Sequence, residues 1–555
     1  MKIAVSELIV RYLERLGIET IFGMPGAHIL PVYDSLYDSN ITSVLVKHEQ
    51  GAAFMAGGYA RISGKIGACI ATAGPGATNL VTGIANAYAD KQPILIITGE
   101  TSTHIFGRGG LQESNGEGGS IDQAALFAGI TRYHKLIERT DYLPTVLNQA
   151  AKHLLSRTPG PVVLSIPYNV QKEMVDASIL DQISFARTTG ECLVAERYID
   201  QSVALVREAK RPLIIAGYGC IRSGAQEHLR RVSERLNIPV ASSLKGKGAL
   251  DERSALSLGS LGVTSGGYAM RYLEQEADLV LVLGAAFNER TSYVWDRNLL
   301  AGKKLIQVDN NAEQLEKVFR ADLAVHADLG TYLQALDSAA QAQQVAAKEP
   351  VDIAAFIAAA QTQANAAGET IFNRKFDHVR AFYGWLEQRF PDGLVMFDDN
   401  IVFAQNFYRV SAKDRYYPNT GISSLGHAIP AAIGAGCQVD RPLFAMIGDG
   451  GFHMCAMEIM TAVNYAIPLN IVLFNNSTMG LIRKNQHHLY QDRFIDCDFT
   501  NPDYLLLAQS FGIRHCRVES AQDLAKLESI DFRHGINLIE VMLDQDAYPN
   551  YSSRR

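Results

Sequence analysis

The sequence predicts an α/β protein built from three doubly wound parallel-sheet domains. Three observations predict it. Short apolar, β-branched runs alternate with helical patterns along most of the 555 residues, the order expected when helices cover both faces of parallel sheets. That length exceeds what one hydrophobic core serves, so several domains are required. A stretch over 338–376, rich in Ala and Gln and poor in aromatics, interrupts the alternation and suggests a helical linker.

The first domain is expected over 1–170. It opens with the amphipathic pattern Leu8, Ile9, Tyr12, Leu13, Leu16. The run 41–49 predicts a strand that delivers the Glu49 carboxylate at its end, followed by a small-residue helix over 51–61. Apolar strands follow at 66–71, 93–98 and 162–166. The second domain, 190–337, holds apolar runs at 212–217, 277–284 and 304–308, each followed by a turn or helix. The third, 377–549, carries Gly448-Asp449-Gly450, then a helix expected over 454–465, a strand over 469–474 and the pair Asn475-Asn476.

That last arrangement points to a magnesium-bound diphosphate. Asp449 and Asn476 would both lie at carboxyl ends of strands in one parallel sheet, where open α/β sheets bind ligands. Mg²⁺ takes oxygen ligands in octahedral geometry, and one carboxylate, one amide oxygen, a backbone carbonyl near Thr478, water and two diphosphate oxygens would supply them. Gly450 and Gly451 let the backbone approach the diphosphate. Aspartate flanked by glycine also occurs in plain turns.

The pattern from Gly448-Asp449-Gly450 to Asn475-Asn476 resembles the thiamin-diphosphate fingerprint. The segment 22–34, the stretch Lys47-His48-Glu49-Gln50-Gly51-Ala52-Ala53 and the run Gly74-Pro75-Gly76-Ala77-Thr78-Asn79 resemble the acetohydroxyacid (acetolactate) synthase family. The resemblance implies a pyrimidine-binding, a central nucleotide-binding-like and a diphosphate-binding domain. It makes Glu49 the acid that activates the cofactor, sets Gly26 near the reacting carbon, and sets Pro75 and Asn79 beside the pyrimidine. In Gly421-Ile422-Ser423-Ser424-Leu425-Gly426, Leu425 matches the apolar wedge that bends the cofactor, and Ser423 the carbonyl that accepts from its amino group. Asn400, Gly448, Met479 and Gly480 join the implied cofactor contacts.

The implied reaction is Mg²⁺-dependent decarboxylation of a small 2-oxo acid, with pyruvate the expected donor, and ligation of the acyl unit to a second carbonyl compound. A nonoxidative decarboxylase and an FAD-dependent oxidase share the fingerprint, and a non-catalytic cofactor-binding protein is the alternative from another class. FAD is the family's occupant of the central domain, where Gly217-Tyr218-Gly219, Lys245 to Gly248, Gly259 to Gly262 and Gly284 to Arg290 hold corresponding places. An empty domain or an adenine diphosphate is the alternative. The family also implies a homodimer or tetramer with sites between subunits.

Two departures from the family bear on substrate. A glycine-rich loop, 107–120, contains an apparent insertion and predicts a mobile lid, with Gln112 a candidate to polarise the donor carbonyl and Glu117 to read a polar acceptor. Asn485 stands where the family usually has tryptophan, so a larger or hydroxylated acceptor becomes plausible, with Asn485, His487 or His488 donating to it.

Composition excludes other classes. A formal net charge of −7 without a basic stripe argues against nucleic acid. No apolar run is long enough for a membrane span and no signal peptide is visible, so a cytoplasmic location is expected. The 7 cysteines, Cys192 among them, are scattered and never paired as CxxC, the pattern of reduced thiols.

Overall fold

The computed structural model describes residues 1–187 and 194–551; Cys192 and the start of the expected second domain at 190 lie outside the described residues. Three six-stranded parallel sheets, each flanked by helices, follow one another along the chain. Their inner strands are apolar and buried end to end, as in Ile94–Glu100, Leu279–Leu283 and Leu469–Asn475, because helices cover both faces. Among the described residues, no helix is long and apolar enough to cross a membrane.

The first sheet runs Thr42–Leu45, Thr20–Gly23, Gly67–Ala71, Ile94–Glu100, Val162–Pro167, Tyr133–Leu136. The third runs Arg415–Pro418, Val395–Asp398, Leu443–Gly448, Leu469–Asn475, Ile536–Met542, Arg514–Val518. Numbered within each block, both have the order 2-1-3-4-6-5. Each therefore reverses direction between its first and third strands, and the crevice at that switch point is where such sheets take ligands. In the first block it opens beside Gly23 and Ala71, in the third beside Asp398 and Gly448. The central sheet has the order 3-2-1-4-5-6, that of dinucleotide-binding folds.

One apolar core joins the first and third blocks, including Phe22, Ile96, Val395, Ile447 and Leu473. At its centre the small-residue helices Glu49–Ser63 and Ala428–Gly436 meet backbone to backbone. A side chain at Gly58 would collide with the Ala431 carbonyl, and one at Gly434 with the Met55 carbonyl. This contact fixes the two outer sheets relative to each other.

Two expected elements are corrected. The strand expected over 41–49 ends at Leu45, because its partner among the described residues, Thr20–Gly23, ends at Gly23 opposite it. Glu49 is instead the first residue of a helix, behind His48, whose Nδ1 accepts the Gln50 N–H at 3.1 Å. The helix expected over 454–465 is a 3₁₀ turn, Ala456–Glu458, and a short helix, Ile459–Asn464, and a separate helix, Asp449–His453, precedes it. The break falls at Cys455, whose φ of −140° is not helical. Glu458 just beyond it is buried against the first block and bonds the Lys47 and His48 backbone.

Candidate active site

A cavity of about 330 Å³ opens at the switch point of the third sheet. Gly448, Asp449, Gly450 and Gly451 form one wall, and Asn476, Thr478, Met479 and Gly480 another. Asn400, Ser423 and Leu425 also line it, with Arg290 reaching in from the central block. The cofactor and metal residues predicted in the third block are therefore gathered here, whereas none of the lining residues comes from the first block.

Asp449 is almost fully buried. Its Oδ2 accepts the N–H groups of Asn476 at 3.1 Å and Ser477 at 2.6 Å and the Asn501 side-chain amide at 2.9 Å. Its Oδ1 accepts the Gly450 N–H at 3.0 Å. Burial raises the Asp449 pKa above its ordinary value even against these donors. One end of the Asn476 amide lies 2.9 Å from the Thr478 carbonyl oxygen and 3.3 Å from Asp449 Oδ1. With nitrogen at that end the amide donates to both. With oxygen there, three oxygens converge as a hard divalent cation requires. Among the described residues no three His, Cys, Asp or Glu side chains cluster for a metal; the donors here are one carboxylate, one amide and one carbonyl.

The first-block residues form a second cluster, at the switch point of their own sheet. Glu49, 8% exposed, accepts the Asn79 amide N–H at 2.9 Å. Pro75 begins the short helix that carries Asn79. Gly26 packs on Thr72, where any side chain would collide, and the Thr72 hydroxyl reaches the Gln112 amide oxygen at 3.3 Å. His28 Nδ1 lies 3.2 Å from the same oxygen. Gln112 adopts φ = +57°, a left-handed conformation uncommon outside glycine. Glu49, Gly26, Pro75, Asn79 and Gln112 thus lie together, apart from the Asp449 cavity.

The glycine-rich loop is tied at its base. The Glu113 carboxylate is the bridge, accepting the Gly110 N–H at 2.8 Å. The Ser114 hydroxyl donates to Glu100 at 2.6 Å, inside the sheet end. Glu117 is exposed. Asn485, His487 and His488 sit on the helix Gly480–Tyr490 but do not line the cavity; His487 pairs with Asp492 and stacks on Tyr548.

Several site residues escaped the sequence reading. Asp398, at the end of strand Val395–Asp398, accepts the N–H groups of Asn400 and Ile401 and the Tyr416 hydroxyl, each at 2.8 Å. Burial pushes its pKa up to about 7. It pins Ile401 at φ = +57° on the cavity wall, a strained state for a β-branched residue. Arg290 was grouped with the central glycine motifs, yet it lines this cavity and keeps a buried guanidinium nitrogen unpaired. Asn501 carries no local signal, since its partners Asp449 and Asn475 lie 52 and 26 residues away along the chain. In the central block, Lys245 and Lys247 pair with Asp90 and Glu252.

Comparison with known proteins agrees with this geometry. Three family models match: "Thiamine pyrophosphate enzyme, N-terminal TPP binding domain" over 3–124, "central domain" over 199–336 and "C-terminal TPP binding domain" over 399–541. A probable acetolactate synthase large subunit of Methanocaldococcus jannaschii is 32% identical, over 97% of this chain and 92% of the relative. The acetolactate synthase isozyme 2 large subunit of Escherichia coli is 31% identical, over 97% and 95%. That of Lactococcus lactis, an acetolactate synthase large subunit, is 31% identical over 98% and 93%. With its two glycine-lined half-sites at equivalent switch points, the chain belongs to the thiamine pyrophosphate enzymes, in their acetolactate synthase family.

Proposed function

We infer that the protein decarboxylates a small 2-oxo acid, pyruvate being the expected donor, and ligates the acyl unit to a second carbonyl compound. The observation that carries this is the Asp449 cavity, where a carboxylate, an amide and a carbonyl oxygen converge beside bare glycine backbone. Such a set suits Mg²⁺ and a diphosphate. Gly448 has open space on its side-chain face, whereas a side chain at Gly450 would collide with Met479. Thiamin diphosphate, when bound, supplies a ring carbon that adds to the 2-oxo group and an electron sink that permits loss of CO₂. Glu49 would hold a proton at the ring, with Asn79 orienting its carboxylate. Leu425, on the cavity wall, would support the cofactor, and Gln112 would face the reacting carbonyl.

Glu49 and Asp449 must act on one cofactor, so the proposal includes a homo-oligomer in which a second copy brings Glu49 to the cavity. Exposed apolar side chains support it. Leu481 and Ile482 line the cavity and Ile422 precedes its lining residue Ser423, while Leu111 precedes Gln112 of the first-block cluster. FAD is proposed for the central crevice, supported by the strand order and by Asp309 at a strand end. Its Lys245 and Lys247 are engaged elsewhere, so backbone groups would hold the phosphates. Flavin absorbance of the purified protein tests that part.

The test of the reaction is incubation with thiamin diphosphate, Mg²⁺ and pyruvate, with and without added aldehydes or ketones, followed by CO₂ release and mass spectrometry. A ligated product is expected. Acetaldehyde alone would make the protein a decarboxylase, and no turnover would remove pyruvate as donor.

A further inference from the structure

Four donors hold the Asp449 carboxylate, and three are backbone N–H groups whose polarity the chain path fixes. The fourth, the Asn501 amide, could invert and set its oxygen against the carboxylate. Something must prevent that. Asn501 also gives an N–H to Asn475 Oδ1 at 2.8 Å, and its own oxygen accepts from the Tyr504 hydroxyl at 3.0 Å. Asn475 in turn donates to Glu540 at 2.7 Å. Glu540 is fully buried and accepts from His515 Nε2 at 2.8 Å and Arg517 Nε at 2.9 Å.

The order of polarity follows from the carboxylate at the far end. Burial alone would raise the Glu540 pKa, but the bonds from His515, Arg517 and Asn475 outweigh it and hold the group below its ordinary value. An ionised carboxylate only accepts. Asn475 must therefore turn its nitrogen to Glu540 and its oxygen to Asn501, and Asn501 must answer with nitrogen, the atom that reaches Asp449. The relay crosses the sheet from edge strand Arg514–Val518 through Ile536–Met542 to the end of Leu469–Asn475. We propose that Asn501 is a positioning residue of the Asp449 metal site, and that Glu540, acting through Asn475, sets the direction in which Asn501 donates.

With Oδ2 saturated by three donors, Oδ1, which takes the Gly450 N–H, faces the end of the Asn476 amide that also meets the Thr478 carbonyl. Outer partners that orient a metal ligand typically change affinity about 10–100-fold when removed. Glu540→Gln carries a sharper expectation than simple loss. Its oxygen goes to His515 and Arg517, its nitrogen faces Asn475, and the inversion passes down the relay until the Asn501 oxygen meets Asp449.

This inference rests on the Mg²⁺ site proposed above. The experiment is calorimetric titration of Mg²⁺, with thiamin diphosphate present, into the wild type, Asn501→Ala, Glu540→Gln and the double variant, with melting of each metal-free protein. Asn501→Ala should bind Mg²⁺ about 10–100-fold more weakly, with kcat at saturating Mg²⁺ within a few-fold of wild type. Glu540→Gln should also bind more weakly, and the double variant no more weakly than Asn501→Ala, since the relay is already cut. Mg²⁺ affinity of Asn501→Ala within about twofold of wild type would overturn the proposal, whether or not Glu540→Gln folds. Additive losses in the double variant would overturn the role of Glu540. A wild type that shows no Mg²⁺ binding would refute the metal site itself, and the inference with it.

Discussion

Glu458, in the third block, accepts the backbone N–H of His48, in the first, at 2.9 Å. It also accepts the Lys47 N–H at 3.1 Å and the Thr461 hydroxyl at 2.8 Å. The peptide that leads into Glu49 is thus anchored by the segment that follows Asp449, so the Glu49 cluster and the Asp449 cavity are coupled within the chain.

Gly51 leaves room for that anchor, since a side chain there would collide with the Glu458 carboxylate. Gly51→Ala should cost about 1–3 kcal/mol in stability, the usual price of overpacking, and should lower kcat by shifting Glu49. Denaturant titration with steady-state kinetics checks both. A variant as stable and active as wild type would show that the contact yields freely.

Glu49→Gln should lower kcat by about 10²–10⁴, the usual contribution of a positioned acid-base group, while thiamin diphosphate still binds. Calorimetry and turnover on the same preparation separate the two effects. Unchanged turnover would remove Glu49 from the chemistry.

Asp449→Ala should abolish Mg²⁺-dependent cofactor binding, because it removes the only carboxylate of the proposed donor set. Titration of cofactor with and without Mg²⁺ reads this directly. Retained Mg²⁺ dependence would place the metal elsewhere.

Asp398 should make stability depend on pH. Its folded pKa of about 7 lies above the ordinary value of 3.8, so the native state binds the extra proton between them. That stability is fully present below the unfolded value and is lost as pH rises through about 7. Asp398→Asn keeps the shape and removes the titration. Melting temperature should therefore fall more steeply with rising pH in the wild type than in the variant over this window, and parallel profiles would contradict the assignment.

The α/β class, the three parallel sheets and most of the residues that line the third-block cavity could be read from the sequence. Periodicity and buried β-branched runs are local signals, and Gly448-Asp449-Gly450 and Asn475-Asn476 each sit at a strand end that can be read from its neighbours. Glu49 was recognisable through the residues around it, although its strand stopped early because the pairing partner Thr20–Gly23 did. Tertiary structure alone decided the rest. That the outer sheets share one strand order, that Gly58 and Gly434 let their blocks share a core, and that Arg290 enters the third-block cavity all depend on contacts between distant segments. The same holds for Glu458 on His48 and for the relay from Glu540 to Asp449. A buried polar side chain takes its role from the partner that satisfies it, and here those partners lie far away in sequence, where no periodicity or local motif records them.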